Sequence, residues 1–268
     1  MGFNGRNFQN VVHFFVELSN LLSLTFDITI PVLNEAPTLV RQITILHEFI
    51  SHYFPNLEQW KIVIADNGST DATPKLGQQL TAQFSNVQFL KVPERGVGLA
   101  LKTSWSQSKA DIVGYMDLDL ATDLSHFLET YQAIAKENFD LVYATRLHKK
   151  SQVINRSLKR EISSRGFNFI VKNYLGTQFS DGMCGFKFLK RKYYDLLHAG
   201  GAQNNGWFFS TELLTVAEWK GLNIKELPVK WTDDVSSSRV QILPLAKRYL
   251  LAMRELKKER LQKRGAKS

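Results

Sequence analysis

The first half of the chain alternates between short apolar segments and amphipathic ones. Strands are predicted at residues 26–33, 60–66, 87–92 and from 111 onward, and the segments between them carry apolar residues at helical intervals. Two strands of one sheet that are joined through a helix run parallel, with a right-handed crossover. The sequence therefore predicts an α/β fold with a mostly parallel sheet flanked by helices.

Polar side chains follow each of these predicted strands. In open parallel sheets, ligands bind beyond the carboxyl ends of the strands, where the connecting loops gather. We therefore expect one crevice to collect the residues that end the four strands, namely Asn34, Glu35, Asp66, Asn67, Arg95, Asp117 and Asp119.

The fourth strand leads into a cluster of carboxylates. Side chains alternate along a strand, so Asp117 and Asp119 are predicted to share a face while Met116 and Leu118 point into the packed layer. Two close carboxylates raise each other's pKa unless a cation lies between them, and Mg²⁺ or Mn²⁺ favours oxygen ligands. The pair therefore predicts a metal site, whereas Asp123 is predicted to cap the next helix.

The second half is less regular. Strands are predicted at 139–144, just after Asp181, and at 223–231, where Pro228 indicates a sheet edge. A helix over about 160–175 places Ile162, Phe169 and Ile170 on its apolar side, and further helices are predicted at 191–198 and 210–220. We expect an N-terminal amphipathic segment (1–25), one domain (26–240), and a basic amphipathic helix with a tail (241–268).

The charge of the chain is concentrated at its end. Of the formal +9, residues 247–268 contribute nine Lys or Arg and two Glu, a net +7, so nucleic acid is not an expected partner. An apolar stripe there includes Leu243, Ala246, Leu250 and Met253. It fits a membrane surface as well as packing on the chain's own domain or on a partner protein. No apolar run reaches the roughly 18–20 residues of a membrane span.

Several motifs resemble the family 2 glycosyltransferases of GT-A fold, especially the polyprenyl-phosphate (dolichyl-phosphate) glucosyl- and mannosyltransferases. They occur in the same order as in the family, over about residues 26–240. The first four motifs are residues 30–35, 66–71, 116–120 and 144–146. They are followed by Arg160 together with 164–168, by Asp181 together with 184–187, and by 209–214.

The resemblance implies roles for individual residues. Residues that look like the nucleotide pocket are Pro31, Asn34, Glu35, Asp66, Asn67 and Arg95. Asp117 and Asp119 match the DxD pair that holds Mg²⁺ or Mn²⁺ against the donor diphosphate. Arg146 and Arg160 match the residues that handle an acceptor phosphate, for which a planar guanidinium is well suited. Arg156 and Lys159 are expected to form surface ion pairs instead.

The chain departs from the family pattern at three positions. Val97 stands where lysine is frequent, so Arg95 or Lys102 must supply charge there. Ala121 and Ser210 stand where Gln and Asp are frequent, which indicates a thinner metal shell. Residues 207–209 and 230–232 resemble the dolichyl-phosphate glucosyltransferase branch, which favours UDP-glucose as the donor and GDP-mannose next.

The resemblance implies inverting transfer of a hexose to a polyprenyl or dolichyl phosphate. The enzyme would be peripheral on the cytoplasmic face of a membrane. A sugar-hydroxyl acceptor would instead need a general base, for which Glu212 and Asp181 are the candidates. Glu212 could equally orient the acceptor. A third hypothesis is an inactive nucleotide-sugar-binding subunit, which the retained Asp117 and Asp119 argue against.

Overall fold

The computed structural model describes residues 24–232 and 242–265. The strands are β1 (Phe26–Val32), β2 (Trp60–Asp66), β3 (Val87–Lys91), β4 (Ile112–Met116), β5 (Leu141–Thr145), β6 (Gln152–Ile154), β7 (Phe186–Lys190), β8 (Ile224–Pro228) and β9 (Lys230–Thr232). The helices are α1 (Leu39–Tyr53), α2 (Thr73–Gln83), α3 (Val97–Gln107), α4 (Ser125–Ala135), α5 (Leu158–Leu175), α6 (Tyr194–Gly200), α7 (Phe209–Trp219) and α8 (Ile242–Gly265).

Seven of these strands form one sheet in the order β3-β2-β1-β4-β7-β5-β8. Every neighbouring pair is parallel except the two that involve β7, which runs antiparallel between β4 and β5. The predicted α/β fold with a mostly parallel sheet is confirmed, and β8, which carries Pro228, lies at an edge. The antiparallel direction of β7 brings its first residues to the edge where β4 and β5 end.

Pro31 does not end the first strand. β1 continues to Val32, and Pro31 pairs with Ala65 of β2. On the other side, pairing with β4 ends at Thr29, so the proline lies beyond that ladder. A residue without an N–H can therefore occupy a central strand without breaking its hydrogen bonds to β4.

Helices cover both faces of the sheet. On one face, buried residues of β1 and β4 pack with the inner side of α1, where Leu39, Ile43, Leu46 and Ile50 recur at helical spacing. On the other, Trp105 of α3 packs with Phe209 of α7, with ring centroids 5.8 Å apart. These two apolar layers fix the sheet and hence the positions of the loops at its carboxyl edge.

The predicted late strand is divided in two. β8 pairs with β5 in the large sheet, whereas β9 pairs in parallel with β6 in a two-stranded sheet that the sequence did not predict. An isolated bridge between Thr122 and Trp231 ties β9 to the loop after β4. The strand breaks at Val229 because its two halves join different sheets.

The apolar side predicted for α5 is wrong. Ile162, Phe169 and Ile170 are 70%, 68% and 45% exposed, and the helix instead buries Val171 and Leu175. Helical spacing alone indicated a stripe but not which side of α5 faces the domain.

The C-terminal helix α8 packs on the chain's own domain. Tyr249, Met253 and Leu256 are buried, and the Tyr249 ring lies 5.4 Å from that of Phe167 on α5, whereas Leu250 is 53% exposed. The sequence left open whether this apolar face contacts a membrane surface or packs on the chain's own domain or a partner protein. In the structure it packs on the chain's own domain. The side chains of Leu243 and Ala246, and the predicted N-terminal amphipathic segment up to residue 23, lie outside the described residues.

Candidate active site

The loops after β1 and β2 hold each other through polar side chains. Asn34, which has a left-handed backbone (φ 57°), accepts a hydrogen bond from the Thr70 N–H at 2.8 Å. The Asn67 amide donates to the Val32 carbonyl at 2.9 Å. Asn34 and Asn67 therefore shape the rim of the predicted nucleotide pocket.

Asp66 lies at the bottom of this rim, buried at the end of β2. Its Oδ1 accepts a hydrogen bond from the Ser69 N–H at 3.2 Å, but its buried Oδ2 has no hydrogen-bond partner among the described residues. A buried acceptor without a partner costs free energy and marks a place where a ligand donor fits. The structure thus leaves one oxygen of Asp66 open to a bound N–H or O–H group.

Glu35 connects this loop to the carboxylate pair. Its backbone N–H donates to Thr73 Oγ1 at 2.8 Å. Partial burial raises the pKa of its carboxyl group, and the nearby charges of Asp119 and Asp71 raise it further. The loop after β1 and the loop after β4 therefore meet, as expected of one crevice.

Asp117 and Asp119 converge, but not through strand alternation. β4 ends at Met116, and Asp117 opens a turn in which the Leu120 N–H donates to the Asp117 carbonyl at 3.2 Å. Leu120 has a left-handed φ of 52°. The turn, and not a continued strand, directs both carboxylates into a cavity of about 10 Å³ that Gly185 and Trp231 also line.

The two carboxylates fit a divalent cation. Burial, together with the charge of Asp119, raises the pKa of Asp117 to about 7. A cation between the carboxylates would relieve both effects. The described residues contain no cluster of three or more His, Cys, Asp or Glu that could hold a metal, so the protein would supply these two carboxylate ligands. A bound diphosphate or water would have to complete the shell.

The prediction that Asp123 caps α4 is wrong by one position: Leu124 is the N-cap, and Asp123 precedes it and stabilises the turn into the helix. Its Oδ1 accepts hydrogen bonds from the backbone N–H and the hydroxyl of Ser125, the first residue of α4, at 3.1 and 2.7 Å. The second oxygen lies 3.4 Å from Lys230 Nζ. These bonds lower the pKa of Asp123, with the Ser125 hydroxyl contributing most.

Arg146 forms a two-pronged ion pair with Asp181. Its Nε and Nη2 donate to the two carboxylate oxygens at 2.8 and 3.0 Å, and its backbone N–H adds a third bond. Burial alone would raise the pKa of Asp181, but the charge and hydrogen bonds of Arg146 hold that pKa at about 2. Two of the guanidinium nitrogens of Arg146 are therefore engaged by Asp181.

Trp231 contacts two guanidinium groups. The guanidinium carbons (Cζ) of Arg146 and Arg156 lie 5.4 and 5.9 Å from the centroid of its ring. Such contacts between a cation and an aromatic face are favourable and partly offset the repulsion of two like charges. Since Trp231 also lines the cavity of Asp117 and Asp119, the aromatic ring joins the basic pair to the acidic pair.

The prediction that Arg156 forms an ion pair at the surface is wrong. Its side chain is only 6% exposed, with Nη1 3.3 Å from Glu161 and Nη2 donating to Ser164. Burial and the neighbouring Arg146 lower its pKa. No local sequence pattern indicated this burial, because it depends on Trp231, which lies 75 positions further along the chain.

Arg160 lies in the first turn of α5, partly buried. Its backbone N–H donates to the hydroxyl of Ser157, which caps the helix, and its carbonyl accepts from Arg156 at 3.4 Å. Lys159 is exposed, as expected of a surface residue. The structure therefore brings the first turn of α5 beside the stacked arginines.

Glu212 is engaged by backbone groups. Buried in α7, its Oε2 accepts hydrogen bonds from the N–H groups of Gln203 and Asn204 at 2.9 and 2.6 Å. Burial raises the pKa of Glu212 to about 7 in spite of these bonds. The carboxylate therefore holds the 203–206 loop in place, which is a positioning role.

The glycines that open α3 admit this loop. A Cβ on Gly96 would lie 2.3 Å from the Asn205 carbonyl, and one on Gly98 would lie 2.2 Å from that of Asn204. The Leu99 N–H donates to the Asn205 carbonyl at 3.1 Å. These glycines thus serve close backbone packing, and the first turn of α3 already has one N–H engaged.

The two candidate cations at this turn differ in position. Lys102 Nζ donates to the Gln203 carbonyl and to Asn205 Oδ1, and burial lowers its pKa. Arg95 is exposed in the loop between β3 and α3. Of the two residues that could replace the missing lysine at Val97, Arg95 is therefore the one with an exposed side chain.

Ser210 replaces a charged partner for a buried lysine. Lys187, which is fully buried, donates to the Cys184 carbonyl at 2.6 Å and to the Ser210 hydroxyl at 2.7 Å. Burial lowers the pKa of Lys187 to about 8. The hydroxyl also contacts Tyr115 at 2.7 Å, so the position frequently occupied by Asp holds a neutral hydroxyl between Lys187 and Tyr115 here.

A larger cleft, of about 310 Å³, lies at the opposite edge of the sheet. Its lining includes Asp27, Lys61 and Gln88, each the second residue of its strand. Ligands of open parallel sheets bind at the carboxyl ends of the strands, so this cleft is not the predicted site.

A mostly parallel sheet with a carboxylate pair just beyond its fourth strand is the arrangement of a GT-A glycosyltransferase. Residues 27–197 match the profile of Glycosyl transferase family 2, which spans well over half of the chain. The chain belongs to this family. The family resemblance predicted from the sequence motifs is thus confirmed.

Two relatives illustrate the similarity in sequence. Glycosyltransferase AglD of Haloferax volcanii is 29% identical over 205 residues, which cover 76% of this chain and 32% of AglD. The dolichyl-phosphate beta-glucosyltransferase of Dictyostelium discoideum is 30% identical over 220 residues, 74% of this chain and 66% of that protein. The chain thus spans between a third and two thirds of the length of these relatives.

A solved structure shows the same fold. The glucosyl-3-phosphoglycerate synthase of Mycobacterium tuberculosis superposes with a TM-score of 0.63 at 19% identity, over 90% of this chain and 84% of that one. The same enzyme has been crystallised with Mn²⁺, UDP and glucosyl-3-phosphoglycerate. At this identity the likeness concerns the fold alone.

Proposed function

We propose that this chain transfers a hexose, with inversion, from a nucleotide-diphosphate sugar to a polyprenyl or dolichyl phosphate. UDP-glucose is the favoured donor and GDP-mannose the next. The observation that carries the proposal is the position of Trp231. This ring lines the cavity of Asp117 and Asp119 and also stacks against Arg146 and Arg156. Groups suited to a donor diphosphate and groups suited to an acceptor phosphate are therefore neighbours.

The donor assignment draws on the loops after β1 and β2. Asp66 keeps a buried oxygen that has no hydrogen-bond partner within residues 24–232 and 242–265, which suits an N–H of a nucleobase. Asn34 and Glu35 form the adjoining rim, with Pro31 and Asn67 behind it and Arg95 beside the diphosphate. The dolichyl-phosphate glucosyltransferases among the relatives support glucose as the sugar.

Mg²⁺ or Mn²⁺ on Asp117 and Asp119 would stabilise the negative charge of the leaving diphosphate. Mn²⁺ together with UDP in the mycobacterial enzyme is consistent with this requirement. Within the chain itself, Asp117 and Asp119 orient the donor, and Gly185 leaves room for the Asp117 carboxylate. Binding of the donor together with the cation would thus neutralise the charges of the two acidic side chains and hold the sugar in position.

The acceptor is a phosphate in this proposal because the candidate bases are engaged elsewhere. The pKa of Asp181 is about 2 beside Arg146, and the Glu212 carboxylate accepts two backbone N–H groups. A phosphate is anionic at neutral pH and needs orientation more than a base. Arg146, Arg156 and Arg160 would supply that orientation.

The reaction is placed at the cytoplasmic face of a membrane, where a lipid phosphate would be presented. In the described part of the chain, no helix combines the length and the apolar character needed to cross a bilayer. Association through the surface of the folded domain is therefore the form we propose.

A donor panel tests the proposal. Release of nucleoside diphosphate is followed with UDP-glucose, GDP-mannose, UDP-GlcNAc or UDP-galactose, a polyprenyl phosphate, and Mg²⁺ or Mn²⁺. We expect turnover with UDP-glucose that EDTA and Asp119→Asn abolish. Asp195→Asn, at an exposed Asp with 77% accessibility, is the matched control and should retain full activity.

The outcomes separate the hypotheses. Turnover that persists in EDTA or in Asp119→Asn would contradict the metal assignment. Transfer to a sugar hydroxyl but to no lipid phosphate would favour the alternative acceptor. Nucleotide-sugar binding without turnover on any acceptor would favour an inactive subunit.

A further inference from the structure

Helix α5 has two apolar faces, and one of them is exposed. Its inner face buries Val171 and Leu175. On its outer face, Leu158, Ile162 and Phe169 are 79%, 70% and 68% exposed. Steps of four and seven residues put these three on one line along the helix. An exposed apolar stripe on a packed helix indicates a surface that contacts something other than water.

The surroundings of this stripe are basic. Exposed lysines lie just before the helix at Lys149 and Lys150 and in its first turn at Lys159. Within α5 there are four Lys or Arg and one Glu, a net charge of +3. The one acidic residue, Glu161, is paired with Arg165 at 2.6 Å and with Arg156 at 3.3 Å. An exposed apolar stripe on a helix of net positive charge complements an anionic lipid surface.

The stripe begins next to the basic part of the active site. Arg156, which stacks on Trp231, donates to the Arg160 carbonyl and to Ser164 in the first two turns of α5. Leu158 and Ile162 therefore lie on the outer side of the same turns whose inner side holds Arg156. A lipid phosphate at that arginine would have its hydrocarbon chain beside the stripe.

The C-terminal helix is less suited to this contact. Its Tyr249, Met253 and Leu256 pack in the domain core, and Lys257 donates to the Tyr174 carbonyl of α5 at 2.9 Å. Its main apolar face is thus covered by the chain's own domain. Leu250, Leu251 and Leu261 of this helix are also exposed, but among the described residues the stripe of α5 is the more exposed and begins beside Arg156.

We propose that the outer face of α5 inserts into the interfacial layer of an anionic membrane, so that the acceptor phosphate reaches the basic part of the active site beside Trp231 from the bilayer. This inference rests on the proposed function for the identity of the acceptor. The surface itself is defined by Leu158, Ile162 and Phe169 and is called the α5 stripe below. The binding partner of this surface is a lipid bilayer with anionic headgroups.

Vesicle co-sedimentation of the purified full chain tests the α5 stripe. The vesicles contain phosphatidylcholine alone or phosphatidylcholine with phosphatidylglycerol. The wild-type chain is expected to bind the anionic vesicles, and the double variant Ile162→Glu, Phe169→Glu to bind them at least about tenfold more weakly. Val40→Glu, Ile45→Glu on α1 removes two exposed apolar residues with the same charge change and should bind like wild type.

Circular dichroism and a thermal scan establish that both double variants fold. Equal vesicle binding by the α5 variant and wild type would overturn the proposal, as would the absence of vesicle binding by wild type. A wild-type dimer that the α5 variant dissociates, without vesicle binding, would assign the stripe to a second copy and also overturn it.

A second readout separates this inference from the proposed function. Turnover of a short, water-soluble prenyl phosphate needs no membrane and is expected to be similar in wild type and the α5 variant. If wild type binds anionic vesicles through the stripe but turns over no lipid phosphate, the surface stands and the proposed function fails. If turnover occurs in solution but vesicles are not bound, the function stands and the surface fails.

Discussion

Gly185 lies directly against the carboxylate of Asp117: a Cβ built on the glycine would be 1.8 Å from Asp117 Oδ2. The contact arises because β7 runs antiparallel to β4, and the Asp117 N–H donates to the Gly185 carbonyl at 3.0 Å. The carboxylate can therefore hold its position only while residue 185 has no side chain.

Gly185→Ala is accordingly expected to displace Asp117 and lower kcat by about a hundredfold or more, since small misplacements of reacting groups have effects of this size. Steady-state release of nucleoside diphosphate measures the change. Gly166→Ala, at a helical glycine with open space around its Cβ position, is the control and should keep wild-type turnover. Unchanged activity in Gly185→Ala would mean that Asp117 tolerates displacement and does not hold the donor.

The buried pair of Arg146 and Asp181 predicts a large loss of stability in Asp181→Asn. Removal of one partner from a buried ion pair costs about 3–5 kcal/mol because the other charge stays buried. Thermal or urea unfolding measures the loss. Asp195→Asn, which removes the partner of Arg191 in an exposed pair at 3.1 Å, should cost no more than about 1 kcal/mol.

The same pair predicts a pH dependence in the acid range. The pKa of Asp181 falls from 3.8 to about 2 on folding, so its contribution to stability is complete above about pH 4 and is lost as the pH falls through 2. The stability difference between wild type and Asp181→Asn should therefore shrink over that interval. A constant difference from pH 6 to pH 2 would contradict the assigned ion pair.

Glu212→Gln distinguishes a positioning residue from a general base. The amide oxygen of Gln can still accept from the backbone of the 203–206 loop, so we expect kcat within about tenfold of wild type. Glu212→Ala cannot hold the loop and should lose more. Loss of all turnover in Glu212→Gln, with the fold intact, would favour a base and hence a hydroxyl acceptor.

Glu212 also predicts the pH dependence of stability near neutrality. Its pKa rises from 4.5 to about 7 on folding, so its favourable contribution is full below pH 4.5 and is lost as the pH rises through 7. Gln stays neutral throughout. The Tm of Glu212→Gln relative to wild type should therefore increase between about pH 5 and pH 8, as measured by thermal scans at matched ionic strength.

Trp231→Ala is expected to raise the KM for the phosphate acceptor about tenfold, with a smaller effect on the KM for the donor. Each guanidinium–indole contact contributes about 0.5–2 kcal/mol, and without the ring Arg146 and Arg156 lose a shared contact. Trp231→Phe keeps an aromatic face and should recover part of the affinity. If Trp231→Phe and Trp231→Ala have the same KM for the acceptor, the contact between the aromatic ring and the arginines has no part in acceptor binding.

The regular half of the molecule could be predicted from sequence because its signals are local. Four strands and the helices between them follow from periodicity, and Glu35 and Asp119 come close because parallel strands end at one edge. The direction of β7 could not be predicted, because a five-residue strand has the same side-chain pattern whether it runs parallel or antiparallel. The burial of Arg156 could not be predicted either, because it depends on Trp231, which is distant in the sequence. The outer side of α5 has the apolar spacing of a core face, and only the structure shows that the domain packs on the other side of the helix.

The insertion of β7 has a consequence for the order in which the enzyme is made. Asn34, Glu35, Asp66, Asp117 and Asp119 are all synthesised before residue 120, whereas Gly185 and Trp231, which complete the cavity, follow much later. A nascent or truncated chain ending before β7 would carry the donor-side carboxylates and Arg146, Arg156 and Arg160, but would lack Gly185 and Trp231. The cavity of Asp117 and Asp119 is therefore complete only once β9, the last strand, has been synthesised.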